Sequence, residues 1–168
     1  EWEAGLSSDL RGKKVGIPEY QITAGVWSRG FLSDEYGIRA EDLIWYQGGM
    51  DNPGRKDKWP NNLPDGFPLK HLTGDQTINK MLTAGELDAF IGPRTPSSYR
   101  DGKTPLKRMF ENFEEVEKAY YKKTHIFPIM HPVGIRRSLY DKHPWLALNL
   151  YLAFSEAKRI SQAEMFET

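Results

Sequence analysis

Short apolar runs that stop at a proline or a glycine, each handed on to a stretch of helical spacing, recur along this chain. The run "KKVGIPEYQITAGVWSRGF", residues 13 to 31, sets the pattern. Lys14 to Ile17 reads as a strand, which Pro18 ends because it brings no N–H to the ladder. Thr23 to Tyr36 reads as a helix, with Val26, Trp27, Gly30, Phe31 and Leu32 near helical spacing and Gly37 as its stop. Leu43 to Tyr46 gives a second strand and "PLKHL" a short third. In "GDQTINKMLTAGELDAFIGPR" a helix is capped by Asp75 or Thr77, buries Ile78, Met81 and Leu82, stops at Gly85 and leads into a strand over Leu87 to Ile91. "LKRMF" reads as one more strand, "ENFEEVEKAYYKK" as a helix whose acid-to-base order suits its dipole, and "IFPIMHPVGIRRSLY" as extended. The last helix starts near Pro144. Neighbouring parallel strands need a crossover helix between them, so this alternation predicts an α/β fold: three layers, a mostly parallel sheet with helices on both faces.

Composition narrows the function. At 168 residues the chain suits one α/β domain and is short for two. Lys+Arg and Asp+Glu are both 23, so the surplus of positive charge that a nucleic-acid or polybasic membrane surface needs is missing. No apolar run approaches the roughly 20 residues of a membrane helix, and no membrane insertion is expected. With no cysteine there are no disulfides, thiolate metal sites or Cys nucleophiles. The opening "EWEAGLSSDLRGKK" reads as the approach to a domain already under way, as in a processed or excised segment.

Open parallel sheets take ligands at the carboxyl ends of their strands. The first strand delivers Pro18, Glu19, Tyr20, Gln21 and Thr23 to that edge, at a helix start whose free N–H groups favour an anion. The Leu87–Ile91 strand delivers Gly92, Pro93 and Arg94, followed by "TPSS"; the second strand delivers Trp45, Tyr46, Gln47 and two glycines. Such a rim of aromatic faces, hydroxyls and one guanidinium suits a small aromatic or carboxylated molecule. Plainer readings stand beside these: Glu19 and Thr23 as an ordinary helix start, Arg94 as a surface arginine, Trp27 and Trp45 as core. Residues 48 to 68 form a long proline- and glycine-rich connection, either a solvated insertion or a loop over the site.

Among the histidines, His71 and His143 read as structural or exposed. His125 and His131 are six residues apart in extended chain, about 20 Å, too far to share a metal. No metal site is assigned and no cofactor is required, with a divalent ion left open. His131 is the candidate for proton handling, against the alternative of a hydrogen-bonded structural histidine. Trp2, Trp59 and Phe67, in irregular stretches, suggest a covered surface, either an absent lobe or a second subunit of a homo-oligomer.

As a set, "DLRGKKVGIPEYQITAGVW", "GGMDNPGR", "GELDAFIGPRTPS" and "IFPIMHPVGIRRSLYDKHPWLALNLYLAF", spanning about Asp9 to Lys158, resemble the 4,5-dihydroxyphthalate decarboxylase family. The resemblance implies a fold like type 2 periplasmic solute-binding proteins: two α/β lobes joined by crossing strands, with the ligand in the cleft between them. It implies a parent about twice this length. Residues 1–130 would then be the second lobe, and 131–168 a crossing strand and return helices packing on the missing first lobe. One departure is visible: the family pattern has glycine where this chain has His125.

Carried over by position, the family reading lines the cleft with Pro18, Glu19, Tyr20, Thr23, Arg94 and His131. The implied chemistry is loss of one carboxylate from a dihydroxy aromatic diacid without oxidation. Arg94 and the helix start after Tyr20 serve as the anion clamp, His131 as acid or base, and Glu19 as its partner, with Gln21 and Trp45 counted among the substrate-binding residues. The rival reading is a non-catalytic binding protein of an ABC-type importer for a small carboxylate. A decarboxylase is expected in the cytoplasm, an importer component in the periplasm.

Overall fold

A computed structural model describes residues 10–58, 60–102 and 104–166 of the chain. It divides into two compact units, Glu1–Met130 and His131–Thr168. Trp2 and Trp59 lie outside the described residues.

The first unit is built on four parallel strands: β1 (Lys14–Ile17), β2 (Ile44–Gln47), β3 (Leu69–His71) and β4 (Ala89–Phe90). They lie side by side in the order β3-β2-β1-β4. Alternation along each strand sorts its side chains onto two faces. Val15, Ile17 and Trp45 point to one face, where they pack with Leu32 of helix α1 (Thr23–Tyr36), Ile38 and Leu43. Tyr46 and Phe90 point to the other, against Ile78, Met81 and Leu82 of helix α2 (Ile78–Thr83) and Leu87. Helices therefore cover both faces of an all-parallel sheet, as expected. Gly16 brings α2 close, because a Cβ there would meet Ile78 at 2.8 Å and Leu87 at 3.0 Å.

The punctuation works as its chemistry requires. Gly37 takes a left-handed φ of 64° and ends α1, with its N–H on the Ser33 carbonyl. Thr77 is the cap of α2, its hydroxyl accepting from Lys80 N at 3.2 Å, and Asp75 is not. A one-turn helix α3 (Ser97–Arg100) follows β4, and α4 (Phe113–Thr124) lays Tyr120 edge-on to Phe31 of α1 at 4.7 Å.

Two expectations are corrected. "LKRMF", residues 106–110, makes no strand: Pro105 ahead of it has no N–H for a ladder, and the segment packs through Leu106 instead. The extended reading of residues 126–140 holds only to Arg136. Pro128 and Pro132 restrict their own neighbourhood, and beyond Gly134 nothing prevents helix α5 (Arg137–Lys142). The second unit opens with residues 131–136 outside any helix or strand. It consists of α5 and the long α6 (Trp145–Phe166), on which Trp145, Leu148, Tyr151, Leu152 and Phe154 are exposed.

His125 ends α4 with φ 56°, and it is the one non-glycine in the left-handed region among the described residues. A Cβ there costs about 1–2 kcal/mol. Glycine, expected here from the resemblance, has no Cβ and carries no such cost. His125→Gly is expected to raise stability by about 0.5–1 kcal/mol, after the extra unfolded-state freedom of glycine is subtracted. A higher urea midpoint at unchanged slope is the check.

Candidate functional site

The strand order sets β1 and β4 side by side, with the loops that follow them at the carboxyl edge of the sheet. The chain leaves β1 through α1 on one face to reach β2, but returns from β3 through α2 on the other face to reach β4. β1 and β4 are thus neighbours whose crossover helices lie on opposite faces, and α/β sheets accept ligands at the carboxyl ends of their strands. Pro18 to Ile22 and Ile91 to Pro96 are those loops.

After β1, Pro18 is buried and the Glu19 carboxylate is held by Arg55, whose Nε and Nη2 donate to its Oε1 at 3.1 and 2.6 Å. Tyr20 is 6% exposed, with Trp45 and Phe67 edge-on to its ring at 5.4 and 5.3 Å and the Arg29 guanidinium 3.8 Å from its centre. Burial pushes the Tyr20 phenol above its ordinary range, Arg29 opposing, so the hydroxyl stays neutral at pH 7. The same burial lowers the Arg29 pKa. Gln21 Nε2 donates to the Pro60 carbonyl at 3.0 Å, tying this corner to the 48–68 loop. Thr23 opens α1 but does not cap it: Ile22 stands at the cap position and no side chain accepts from the first turn. The ordinary-helix-start reading of Glu19 and Thr23 thus has no capping bond behind it, and the first-turn N–H groups keep their positive field toward the corner.

After β4, Arg94 is exposed and has no ion pair or hydrogen bond among the described residues. It lies on the wall of an open concavity of about 840 Å³ whose apolar lining includes Phe31, Phe90, Tyr99 and Phe110. Glu19 lines a separate polar cavity of about 70 Å³ with Gln21, Asp57 and Asn61. Glu19 and Arg94 are thus at one edge of the sheet but in different recesses. His131 is exposed and belongs to the second unit.

Trp45 is a correction. At 0% exposure it is core, its Nε1–H donating to the Ala40 carbonyl at 2.7 Å, and it offers no surface to a ligand; it acts on the corner only by supporting Tyr20. Gln47 stands on the rim read from the sequence, but Asp57, His71, Asn61 and Arg55 escaped that reading as site residues. Gln47, 2% exposed, accepts the Tyr20 backbone N–H on Oε1 and gives its Nε2 to Asp57 Oδ1, with His71 Nε2 at 3.0 Å. Asp57 Oδ2 also faces His71 Nε2 at 3.3 Å and accepts from Asn61 at 3.0 Å. Arg55, as above, holds Glu19. The register Ile17–Gln47–His71 across three strands puts this cluster at the carboxyl edge, and a polar Gln at the end of an apolar strand was the one local signal for it.

The 48–68 loop is pinned rather than loose. Asp51 accepts from the Ser97 hydroxyl at 2.7 Å, Asn79 donates to the same hydroxyl at 2.8 Å, and Ser98 donates to Asn79. The loop is thereby joined to the segment that follows Arg94. At Gly49 a Cβ would lie 1.7 Å from the Asn52 carbonyl, so that turn admits only glycine.

Comparison with known proteins gives two informative matches. The chain is 40% identical over 168 residues, 99% of its length, to a 4,5-dihydroxyphthalate decarboxylase of Comamonas testosteroni, of which the match covers 51%. It is 37% identical over 116 residues, 69% of its length, to a 4,5-dihydroxyphthalate decarboxylase of Pseudomonas putida, of which the match covers 45%. The chain therefore spans about half the length of these relatives. No family model matches it.

Proposed function

Because this chain belongs to the 4,5-dihydroxyphthalate decarboxylase family, we propose that it carries part of the site for non-oxidative decarboxylation of a hydroxylated aromatic dicarboxylate such as 4,5-dihydroxyphthalate. The observation that carries the reading is the 40% identity along 99% of the chain. The two recesses at the carboxyl edge, one lined by Glu19 and Gln21 and the other by Arg94, support it.

The chemistry defines what the site must supply. The ring carbon bearing the leaving carboxylate takes a proton, its bond to that carboxylate breaks, CO₂ departs, and the bond pair restores aromaticity. A hydroxyl para to that carbon feeds density into the ring when its proton is withdrawn. The substrate arrives with two carboxylates, so it needs cationic hydrogen-bond donors. Arg94 has five N–H donors without a partner among the described residues, and the uncapped start of α1 adds a positive field. Pro18, Tyr20, Gln21 and Thr23 shape this corner. The roles of His131 as acid or base and of Glu19 as its partner belong to the same proposal, with the Arg55 ion pair orienting the Glu19 carboxylate.

The test is CO₂ release from a panel of hydroxylated phthalates by the full-length protein, with calorimetric binding in parallel. Turnover of the 4,5-dihydroxy diacid above the other acids is expected. Tight binding without CO₂ removes the decarboxylase reading and leaves the importer-type binding protein.

A further inference from the structure

The cluster at the end of β2 and β3 contains one nitrogen asked to do two incompatible things. Gln47 cannot turn its amide over, because Oε1 accepts the Tyr20 backbone N–H and a flip would set two donors against each other. Its Nε2 therefore faces Asp57 and His71, one hydrogen for Asp57 Oδ1 and the other for His71 Nε2 at 3.0 Å. That second bond requires His71 Nε2 to be bare. Yet Asp57 Oδ2 lies 3.3 Å from the same nitrogen, and a carboxylate needs a hydrogen there. The cluster thus has two hydrogen-bonded states: a neutral ring accepting from Gln47, and a ring that has taken a proton at Nε2 and gives it to Asp57. One proton converts the first into the second.

We infer that His71, held by Gln47 and Asp57, is a proton acceptor of this site and takes the phenolic proton of the substrate; this rests on the decarboxylase reading. In the step, the substrate O–H bond breaks, its electron pair stays on oxygen, and an N–H bond forms at His71 Nε2. Phenolate and imidazolium result, and Asp57 faces the new positive charge. Gln47 keeps the neutral ring in the tautomer with its hydrogen on Nδ1, and gives up its bond to Nε2 as the proton arrives there. Asn61, donating to Asp57 Oδ2 at 3.0 Å, fixes the carboxylate. The His71 side chain is 59% exposed, which leaves it reachable from the open edge of the sheet. Among the described residues its polar contacts run to Asp57 and Gln47 alone, while the neighbouring Lys70 turns to the other face, over the Tyr46 ring at 5.5 Å.

Ring-nitrogen NMR of the histidine-labelled protein reads the proton positions without any need for turnover. Neutral His71 is expected to carry its hydrogen on Nδ1 with Nε2 bare, and Gln47→Leu to move it to Nε2. A wild-type ring already protonated at Nε2 when neutral overturns the inference, and needs no variant to be measured. So does a tautomer that ignores Gln47→Leu in a folded variant. In turnover, His71→Gln, at an exposed position, is expected to lower kcat about 100-fold with KM nearly unchanged. A fully active His71→Gln overturns this inference while the decarboxylase reading stands. A wild type that releases no CO₂ ends that reading and this role together, whatever the tautomer.

Discussion

Trp45→Ala is expected to be the most destabilising single change in the first unit, costing about 3–5 kcal/mol. The side chain is wholly enclosed, at 0% exposure, on the central pair of strands, where Val15 is its register partner. Truncation empties that space and leaves the Ala40 carbonyl without its 2.7 Å indole partner. It also withdraws the ring that meets Tyr20 edge-on at 5.4 Å. Domains of this size have about 5–15 kcal/mol in all, so the loss is a large share of the total. Urea unfolding should show a lower midpoint at unchanged slope. Trp45→Phe, which keeps most of the volume and drops the N–H, should lose clearly less. A Trp45→Ala protein within 1 kcal/mol of wild type would mean that the indole is not core.

Arg94→Ala is expected to lower kcat/KM on a hydroxylated phthalate about 10- to 100-fold in the full-length protein, with folding left within about 0.5 kcal/mol. The two halves of that statement have one cause. Arg94 is exposed and bonds to nothing among the described residues, so its removal breaks no internal contact. A hydrogen bond between charged groups is worth about 1.5–3 kcal/mol, and the substrate's carboxylate supplies the missing charge. Lysine at this position should restore part of the loss, keeping the charge without the two-pronged geometry. Unchanged kcat/KM in Arg94→Ala would remove Arg94 from the clamp.

The elements with strong punctuation were the ones legible in the sequence. Pro18 and Gly37 bound β1 and α1 because each has a backbone property that no other residue supplies there. The segments at 106–110 and 137–142 failed for the opposite reason: apolar content alone does not distinguish a strand from packed coil, and a proline's veto extends only to its neighbours. Trp45 was placed at the rim because a four-residue strand does not announce which of its aromatics turns inward. The edge itself was legible from topology. The Gln47–Asp57–His71 cluster was not, since it depends on a proline-rich loop folding back ten residues beyond its strand, and no local periodicity encodes that return.

The outermost strands of the sheet are stubs, two paired residues in β4 and three in β3. Strand edges are where one molecule recruits another into a growing ladder, and the gain scales with the rungs on offer. Here a visiting chain would find at most a few, one margin carrying Lys70 and His71 in place of a continuous greasy strip. Resistance to fibre growth in concentrated solution is thus a by-product of trimming the same strands whose tips carry the polar chemistry.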